Sequence, residues 1–357
     1  MGDKGIKKIG IIGCGVVAEQ YINGLGLFSN ILEIVACADL DNSKANKFAD
    51  KYGLTALKVE ELLEVKEISI VLNLTVPKAH FTVSLSILNS GKHVYSEKPL
   101  ALNYADGEKI IKLAEKQNLK VGCAPDTFLG FSTKKIKNIL DSGTIGEVIG
   151  GTASFVSHGH ESWHPNAGFY YQKGAGPLFD MGPYYITSLV YLLGPVEEVF
   201  AVSSRAFAER KNLNSSSEKK NIKVEVDTHY LVFLKFKNKN TINMTMSFDV
   251  WKPYKPILEL YGTKSSIKLP DPNNFEGSIS LFNTLNSKWE KIEVVKEMEL
   301  GRGIGLADMV ESMSENFIHK ANGYLALHVL NVMESIQLSA NKNKPVSIKS
   351  KELGIKY

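Results

Sequence analysis

Short apolar runs alternate with amphipathic stretches through the first 125 residues, and this alternation constrains the fold more than any other feature. Runs typical of strands occur at residues 7–12, 33–40, 68–77, 93–99 and 120–126. Stretches with helical periodicity lie between them at 13–25, 43–53, 80–92 and 104–118. Strands that alternate with single helices form right-handed βαβ units and a doubly wound parallel sheet. We therefore predict such a sheet as a first domain at residues 1–125.

The pattern changes after residue 126 to the apolar–polar alternation of antiparallel strands with one buried face. Candidate strands occupy 148–160, 197–207, 224–236, 241–250, 256–269 and 291–297, with helices at 132–143 and 305–340, the latter broken near Gly323. A hairpin is predicted around 238–240, and a polar, mobile insertion at 208–223. These features predict a second, α+β domain at 126–340 on an open, mainly antiparallel sheet, followed by a C-terminal strand or tail at 341–357.

Charge and cysteine content limit the classes of partner. The net charge of +4, from 42 basic and 38 acidic residues, is too small and dispersed for a nucleic-acid-binding protein. No apolar run is long enough to span a membrane. The three cysteines, Cys14, Cys37 and Cys123, include no CxxC motif and suit reduced thiols. We therefore expect a cytoplasmic protein with no nucleic-acid or membrane partner.

A glycine motif follows the first strand. Gly13, Gly15 and Ala18 form G-x-G-x-x-A between that strand and a helix. In a dinucleotide-binding Rossmann fold, the first glycine permits a tight turn, the second lets the backbone approach a pyrophosphate, and the third position packs closely on the sheet. The N–H groups of Val16 and Val17 would then point at the phosphates from the helix N-terminus.

An acidic residue ends the second strand about 20 positions after the helix begins. This residue, Asp39, would accept hydrogen bonds from both ribose hydroxyls and repel a 2′-phosphate. No basic side chain follows it directly in the sequence. The motif therefore predicts NAD rather than NADP, with a simple strand-end cap as the alternative reading of Asp39.

The stretch "VYSEKPLA" (94–101) ends a strand on charged residues. Pro99 cannot continue a ladder because it lacks an N–H group, so Glu97 and Lys98 lie where the strand stops. Ligands bind at this edge of parallel sheets. A solvated ion pair is the alternative interpretation.

Taken in order, four segments resemble the Gfo/Idh/MocA family of NAD(P)-dependent oxidoreductases, which act on sugars, inositols and their derivatives. The resemblance covers nearly the full length. The matching segments are "GIIGCGVVAEQY", "LNLTVPKAHF", "SEKPLA" and "GAGPLFDMGPYYITSLVYLLGPV".

For the first domain, the resemblance implies roles around the nicotinamide. Lys98 would face the substrate and stabilise developing alkoxide charge, with a cis proline after it. Glu97 would lie by the nicotinamide ribose or carboxamide. Thr75, Pro77 and His80 match the cofactor loop, although His80 could equally be a helix residue without a ligand.

For the second domain, the resemblance places the proton-transfer groups on Asp180 and Tyr184. They are four residues apart on a predicted helix and share one face. Many family members carry histidine at the second position, whereas this chain has tyrosine, which needs a nearby cation such as Lys98 to act as a base. Asp180 would orient the pair, or cap a helix that begins at Met181, or do both.

Two further regions are candidates for substrate binding. An Asn-Arg-Phe-like stretch that often follows the fifth strand in the family is "APDTFLG" here, and Asp126 or Thr127 would take its place near the nicotinamide. A histidine-rich segment at 158–164 would supply stacking and hydrogen bonds to a sugar through His158, Trp163 and His164. A zinc-like metal site and a purely structural loop are the alternatives, and we expect no metal.

Together these features predict an NAD-dependent oxidoreductase that transfers a hydride between nicotinamide and a secondary hydroxyl or ketone of a sugar, polyol or related carbohydrate. A redox-neutral NAD-dependent glycosidase of the same fold and a non-catalytic NAD-binding regulator are the alternatives. The open sheet of the second domain predicts a homodimer or homotetramer, because an uncovered apolar sheet face seldom stays in water.

Overall fold

The computed structural model describes residues 5–164, 166–213, 221–251, 258–315 and 317–348 of the 357-residue chain. These residues form two compact units. The first contains the described residues of Met1–Leu129 and Glu297–Leu330. The second contains those of Gly130–Lys296 and Asn331–Ser350.

The first unit is built on a parallel sheet covered by helices. Its strands are β1 (Lys7–Ile12), β2 (Leu32–Ala38), β3 (Thr55–Ala56), β4 (Ile68–Asn73), β5 (His93–Ser96) and β6 (Val121–Cys123). The connecting helices are α1 (Val16–Leu25), α2 (Asn42–Tyr52), α3 (Val59–Glu64), α4 (His80–Asn89) and α5 (Tyr104–Gln117). The strand order β3-β2-β1-β4-β5-β6, with every pair parallel, confirms the predicted doubly wound sheet.

Local sequence signals define these helices well. The Asp41 side chain caps α2 by accepting from the backbone N–H groups of Ser43 and Lys44, and α2 ends at Gly53 with φ 68°. The side chain of Asn103 caps α5 in the same way. The two-residue strand β3 and the six-residue helix α3 were not predicted, because elements that short show no periodicity.

The second unit contains a mixed sheet and its packing helices. Its elements in chain order are α6 (Phe131–Asp141), β7 (Val148–Val156), α7 (Pro177–Leu193), β8 (Val196–Ser204), β9 (Glu209–Lys211), β10 (Asn221–Lys223), β11 (His229–Phe236), β12 (Thr241–Ser247), β13 (Leu258–Gly262), β14 (Ser266–Lys268), β15 (Ile279–Asn283) and β16 (Lys288–Ile292). Helix α8 (Ile304–Glu315) belongs to the first unit, helix α9 (Gly323–Lys342) begins in the first unit and ends in the second, and strand β17 (Val346–Ser347) belongs to the second.

Within the described ranges the large sheet has the order β16-β15-β14-β13-β7-β12-β11-β8-β17. Strands β7 and β12 pair in parallel, whereas the other pairs are antiparallel, so the predicted open and mainly antiparallel sheet is confirmed. The hairpin predicted at 238–240 joins β11 to β12 and contains Lys239 with φ 70°. The largely buried helix α7 packs on β7, β11 and β12 and positions the candidate proton-transfer residues.

The terminal segments differ from the sequence prediction. Residues 297–330, which we predicted in the second domain, belong to the first unit. Backbone bonds explain this return, because the N–H of Cys123 donates to Ala321 and Gly122 bridges to Asn322. The helical stretch predicted over 305–340, with a break near Gly323, consists of α8 and α9, and α9 begins at Gly323. In the predicted tail at 341–357, β17 pairs with β8, and residues 349–357 lie outside the described residues.

The insertion at 208–223 is more ordered than its polar composition suggests. Its ends form strands β9 and β10, which pair with each other, and Arg210 in the middle of β9 is buried. Residues 214–220 of the insertion lie outside the described residues. In the part of the chain that the structure describes, no helix is long and apolar enough to cross a membrane.

Candidate active site

The glycine motif forms an open turn between β1 and α1. Gly13 has φ 103°, and a Cβ atom at this position would lie 2.5 Å from the carbonyl oxygen of Leu74, so no other residue fits. Gly15 is the N-cap of α1, and a Cβ atom here would meet nothing within 4 Å. The turn is therefore packed tightly against Leu74 at Gly13, whereas the space beside Gly15 is open to a ligand.

The N-terminus of α1 has the properties of an anion site. No side chain caps this end, so the first-turn N–H groups of Val16 and Val17 are not satisfied by a capping side chain. Three large apolar side chains around the turn and the adjacent strand ends are exposed: Val16 (81%), Leu40 (98%) and Val76 (66%). This combination of free helix donors and apolar surface fits a dinucleotide.

Asp39 occupies the position expected for a ribose-binding carboxylate. Its Oδ2 accepts a hydrogen bond from the N–H of Cys14 and its Oδ1 one from the N–H of Asp41, both at 2.9 Å. These bonds orient the carboxylate beside the glycine turn. Since a carboxylate has about four acceptor positions, it retains capacity for ribose hydroxyls. The helix that follows is capped by Asp41 instead of Asp39.

Glu97 is buried at the end of β5 and holds the strand end in place. Its Oε1 accepts from the hydroxyl of Tyr21 at 3.0 Å and lies 3.4 Å from Nη1 of Arg302. Its Oε2 accepts from the backbone N–H of Lys98 at 3.0 Å. The carboxylate therefore fixes the backbone that carries Lys98, and its contact with the nicotinamide stays a prediction.

The cofactor loop is joined to the E-K-P segment by a buried histidine. His80 begins α4 and is 1% exposed, with Nδ1 2.6 Å from the carbonyl oxygen of Pro99 and Nε2 2.9 Å from that of Thr75. Burial lowers the pKa of His80. The Lys98–Pro99 peptide bond is cis, and Pro77 opens a short 3-10 turn at 77–79. These contacts join the cofactor loop to the E-K-P segment, and contact of His80 with the cofactor stays a prediction.

Asp126, predicted near the substrate, is fully buried in the first unit. Its Oδ2 accepts from the N–H groups of Gly303, just before α8, and Gly305, in the first turn of α8, at 2.8 and 3.1 Å. The structure thus gives this carboxylate a role in anchoring α8, and its contact with substrate stays a prediction. Burial raises the pKa of Asp126 from 3.8 to about 6, against the opposing effect of the two N–H donors.

This raised pKa predicts a pH dependence of stability. The folded state binds the Asp126 proton more tightly than the unfolded state, so the stabilising effect is complete below pH 3.8 and lost as pH rises through about 6. The difference corresponds to about 3 kcal/mol. In Asp126→Asn, the amide oxygen can still accept the two N–H bonds but cannot ionise. We expect the free energy of unfolding of Asp126→Asn, relative to wild type, to rise by about 3 kcal/mol across this range in urea titrations.

The control is Asp141→Asn, an exposed carboxylate paired with Lys137 on α6. Its difference from wild type should change little with pH, because surface ion pairs contribute about 0–1 kcal/mol. A difference between Asp126→Asn and wild type that stays flat from pH 3.8 to 6 would contradict the pKa assignment.

In the second unit, Asp180 and Tyr184 lie one turn apart on α7. The helix begins at Pro177 after Gly176, which has φ 86°, so Asp180 lies in the first turn and the predicted cap of a helix beginning at Met181 is wrong. The Tyr184 side chain is mostly buried. Oδ2 of Asp180 lies 3.5 Å from Nε2 of His160.

The histidine-rich segment packs among aromatic rings. His158 stacks on Trp251 with 3.5 Å between ring centroids, and His160 stacks on Tyr170 at 3.7 Å. The ring centroids of His164 and Trp163 are 5.4 Å apart, and Trp163 is 60% exposed. Burial lowers the pKa of the His164 imidazole. Among the described residues, no group of three or more His, Cys, Asp or Glu side chains is arranged to hold a metal ion.

Family models match both units of the chain. The model described as "Oxidoreductase family, NAD-binding Rossmann fold" matches residues 7–124, and the "GFO/IDH/MocA C-terminal domain" matches residues 133–268. The chain belongs to the Gfo/Idh/MocA family of oxidoreductases. The resemblance in the four sequence segments is thereby confirmed.

Relatives within the Gfo/Idh/MocA family include named sugar and inositol dehydrogenases. Inositol 2-dehydrogenase of Salmonella typhimurium is 30% identical over 149 residues, which are 39% of this chain and 43% of that protein. The match therefore spans less than half the length of that relative. Glucose-6-phosphate 3-dehydrogenase of Bacillus subtilis is 27% identical over 254 residues, or 68% of each chain.

Solved structures show the same fold over the whole chain. The crystal structure of an NAD-binding oxidoreductase from Klebsiella pneumoniae superposes with a TM-score of 0.83 at 19% identity, covering 97% of this chain and 100% of that one. This likeness shows that the two chains share a fold.

Two residues of the first unit of this Gfo/Idh/MocA chain escaped the sequence analysis. Tyr21 is one of the buried residues of α1, and Arg302 lies in the loop before α8. Neither residue lies in a sequence motif that would have marked it as a partner of Glu97. Glu97 contacts both residues and could have indicated that they exist, because a buried carboxylate requires hydrogen-bond donors.

Proposed function

We propose that this protein is an NAD-dependent oxidoreductase that converts a secondary hydroxyl of a sugar, polyol or related carbohydrate to a ketone, or reduces the ketone. The observation that carries this proposal is the placement of Lys98 at the same edge of the parallel sheet as the glycine motif. Carboxyl ends of parallel strands share one edge, so the glycine turn after β1 and Lys98 after β5 lie along that edge. The named substrates of the relatives, an inositol and a sugar phosphate, support the carbohydrate class.

The glycine turn and Asp39 would hold NAD, which when bound accepts a hydride at its nicotinamide ring. The substrate carbon loses a hydride and its hydroxyl loses a proton, so the products are a ketone, NADH and one proton. The Lys98 ammonium would donate to the reacting oxygen and stabilise the alkoxide that develops as the proton leaves. Glu97, fixed by Tyr21 and Arg302, keeps the Lys98 backbone in position.

The proton would pass to Tyr184, with Asp180 orienting the substrate hydroxyl and the phenol. Both side chains project from the first two turns of α7, which is anchored by its buried packing on the sheet. A fixed acid–base group of this kind contributes about 10²- to 10⁴-fold to rate.

The cofactor assignment predicts an effect of Asp39→Asn. The amide keeps acceptor capacity but removes the negative charge that repels a 2′-phosphate. We expect kcat/KM with NAD to fall about ten-fold or more and kcat/KM with NADP to rise, since loss of one charged hydrogen bond costs about 1.5–3 kcal/mol. Steady-state rates with both cofactors give the ratio of kcat/KM with NAD to kcat/KM with NADP.

Asp41→Asn is the matched control for that experiment. It keeps a good helix N-cap residue at α2, so its NAD-to-NADP ratio should equal that of wild type. An Asp39→Asn enzyme with an unchanged ratio would contradict the assignment of Asp39 to the ribose.

We also propose self-association through the open face of the large sheet. Three exposed apolar side chains stand on this face, Val202 of β8 and Leu231 and Phe233 of β11. In the register Val202 pairs with Leu231, and Phe233 pairs with the half-buried Phe200. We expect a homodimer or homotetramer by light scattering, and Phe233→Glu should shift the mass towards the monomer. An unchanged mass for Phe233→Glu would contradict this face as the interface.

The free thiols Cys14, Cys37 and Cys123 support a cytoplasmic location as part of this proposal.

The proposed reaction is tested by measuring the absorbance of reduced nicotinamide. The protein is mixed with NAD, and separately with NADP, and with each member of a panel of inositols, aldoses, glycosides and sugar acids. NAD reduction with one carbohydrate class is expected. No reduction of either cofactor by any member of the panel would contradict it.

A further inference from the structure

The imidazole of His160 lies beside the carboxylate of Asp180. Nε2 of His160 is 3.5 Å from Oδ2 of Asp180, and both residues belong to the second unit. An ionised carboxylate can only accept hydrogen bonds, so the imidazole must meet it through an Nε2–H group. The separation exceeds the length of a formed N–H···O bond, about 2.7–3.2 Å. Catalytic contacts are often this long before substrate binds and shorten in the complex. His160 is therefore placed to donate to Asp180.

Three aromatic rings fix the plane of the imidazole. His160 stacks on Tyr170 with 3.7 Å between ring centroids and 5° between ring planes. Phe248 meets it at 4.7 Å and nearly at a right angle, and Trp163 lies 5.2 Å away. His160 is 8% exposed. Because the ring cannot turn without breaking this packing, Nε2 keeps its direction towards Asp180.

A buried arginine holds the backbone on both sides of His160. Nη1 of Arg210 pairs with Glu161 at 2.6 Å and donates to the carbonyl oxygen of His158 at 3.3 Å. Nη2 donates to the carbonyl oxygen of Phe248 at 2.7 Å, so the same guanidinium also fixes the residue that carries one of the three rings. Arg210 is 6% exposed, and a buried charge of this kind is costly to separate from its partner. The position of His160 is therefore fixed before any substrate binds.

On the other side of the contact, Asp180 is carried by α7. It lies in the first turn, where the partial positive charge of the helix N-terminus stabilises a carboxylate. The helix is buried along most of its length and packs on β7, β11 and β12, so its backbone is fixed. Rotation about the side-chain bonds of Asp180 would still move its two oxygens. A fixed donor at Oδ2 restricts this rotation and sets the direction of Oδ1.

We propose that His160 is a positioning residue of the proposed reaction. Its Nε2–H group holds one oxygen of Asp180, and the other oxygen is then directed to the substrate hydroxyl and to the phenol of Tyr184. The substrate proton still passes to Tyr184, so His160 acts only through Asp180 and exchanges no proton. This role differs from the sugar contacts predicted for other members of the histidine-rich segment. The inference deepens the proposed function and rests on it.

Two variants separate the donor of His160 from its ring. His160→Phe keeps a planar ring against Tyr170 and removes the donor, whereas His160→Gln places an amide N–H group near the position of Nε2 and removes the ring. We expect kcat to fall about 10- to 100-fold in His160→Phe, because a hydrogen bond to a charged group is lost, and to lie within about three-fold of wild type in His160→Gln. Rates are measured with NAD and the member of the carbohydrate panel that wild type oxidises fastest. A kcat of His160→Phe equal to or above that of His160→Gln would indicate a structural role and overturn the proposal.

The matched control is His229→Phe. His229 lies on β11 in the same unit, and its Nδ1 is 2.9 Å from the hydroxyl oxygen of Ser247. Alternate residues of a strand point to one side, so His229 shares the exposed sheet face of Leu231 and Phe233 instead of the face covered by α7. The kcat of His229→Phe should equal that of wild type. A fall as large as in His160→Phe would assign the loss to replacement of any imidazole in this unit and overturn the proposal.

A double-mutant cycle tests whether His160 acts through Asp180. In the Asp180→Ala background, His160→Phe should lower kcat by less than about two-fold, because the group that His160 positions is absent. A further fall of about ten-fold or more in that background would overturn the proposal.

Urea titration of the same four proteins provides a readout that does not depend on turnover. We expect the unfolding equilibrium constants to show a coupling of about five-fold between His160 and Asp180. Coupling without turnover of any carbohydrate would contradict the proposed function alone. Absence of coupling would overturn the positioning role of His160 and leave the proposed oxidoreductase function intact.

Discussion

Lys98→Met is expected to lower kcat about 10²- to 10³-fold while leaving NADH affinity within about two-fold of wild type. Methionine retains the length of the side chain and removes the charge, so the alkoxide loses its stabilising donor. The backbone of residue 98 is held by Glu97 and should not move. Steady-state nicotinamide absorbance measures the rate, and fluorescence titration with NADH measures cofactor binding.

Lys112→Met is the matched control for Lys98→Met. Lys112 is exposed on α5 and pairs with Glu108 at 2.7 Å, an i,i+4 contact worth only about 0.3–0.5 kcal/mol. Its rate should equal that of wild type. Full activity in Lys98→Met would remove this lysine from the mechanism, and equal losses of kcat and NADH affinity would assign it to cofactor binding.

Tyr184→Phe is expected to lower kcat about 10²- to 10⁴-fold, because the proton acceptor is removed while the ring still fills its buried position on α7. Urea titration should show a loss of stability of no more than about 1.5 kcal/mol, the usual contribution of one hydrogen bond.

The neighbouring residue supplies the control for Tyr184→Phe. Tyr185 is buried on the same helix, and its hydroxyl donates to Asp271 at 3.4 Å. Tyr185→Phe therefore loses one hydroxyl from an equivalent environment and should retain the wild-type rate. A Tyr184→Phe enzyme as active as Tyr185→Phe would show that another group moves the proton.

The features that were predicted correctly depend on short-range sequence signals. Gly13 can be assigned from the sequence because a positive φ and a close backbone approach exclude other residues. The end of β5 can be predicted from the sequence because Pro99 has no N–H group to donate to the hydrogen bonds between strands. Strand–helix alternation over 125 residues likewise depends on periodicity within each segment, so the doubly wound sheet was predictable.

The features that were missed depend on long-range contacts. Residues 297–330 return to the first unit through bonds such as Gly303 and Gly305 to Asp126, which join positions 177 and 179 residues apart. No periodicity encodes such a pairing. The same limit concealed Arg302, whose interaction with Glu97 spans 205 residues.

The insertion at 208–223 shows how composition can mislead. Its many Lys, Ser and Asn residues suggested a solvated loop, yet Arg210 is buried between two carboxylates that lie 49 and 39 residues away. A lysine- and serine-rich segment with one arginine gives no sign of which cation is buried. The buried pairing became visible once the side chains of Glu161 and Asp249 were located.

Deuterium transfer from substrate to cofactor tests the central claim most directly. A carbohydrate that is a substrate would be labelled with deuterium at the carbon to be oxidised and incubated with the protein and NAD. We predict NADH that carries deuterium at nicotinamide C4, together with an equal amount of the ketone, by mass spectrometry. Glycoside cleavage with no net NADH, or NADH without deuterium, would contradict a net hydride transfer from the secondary hydroxyl carbon to NAD.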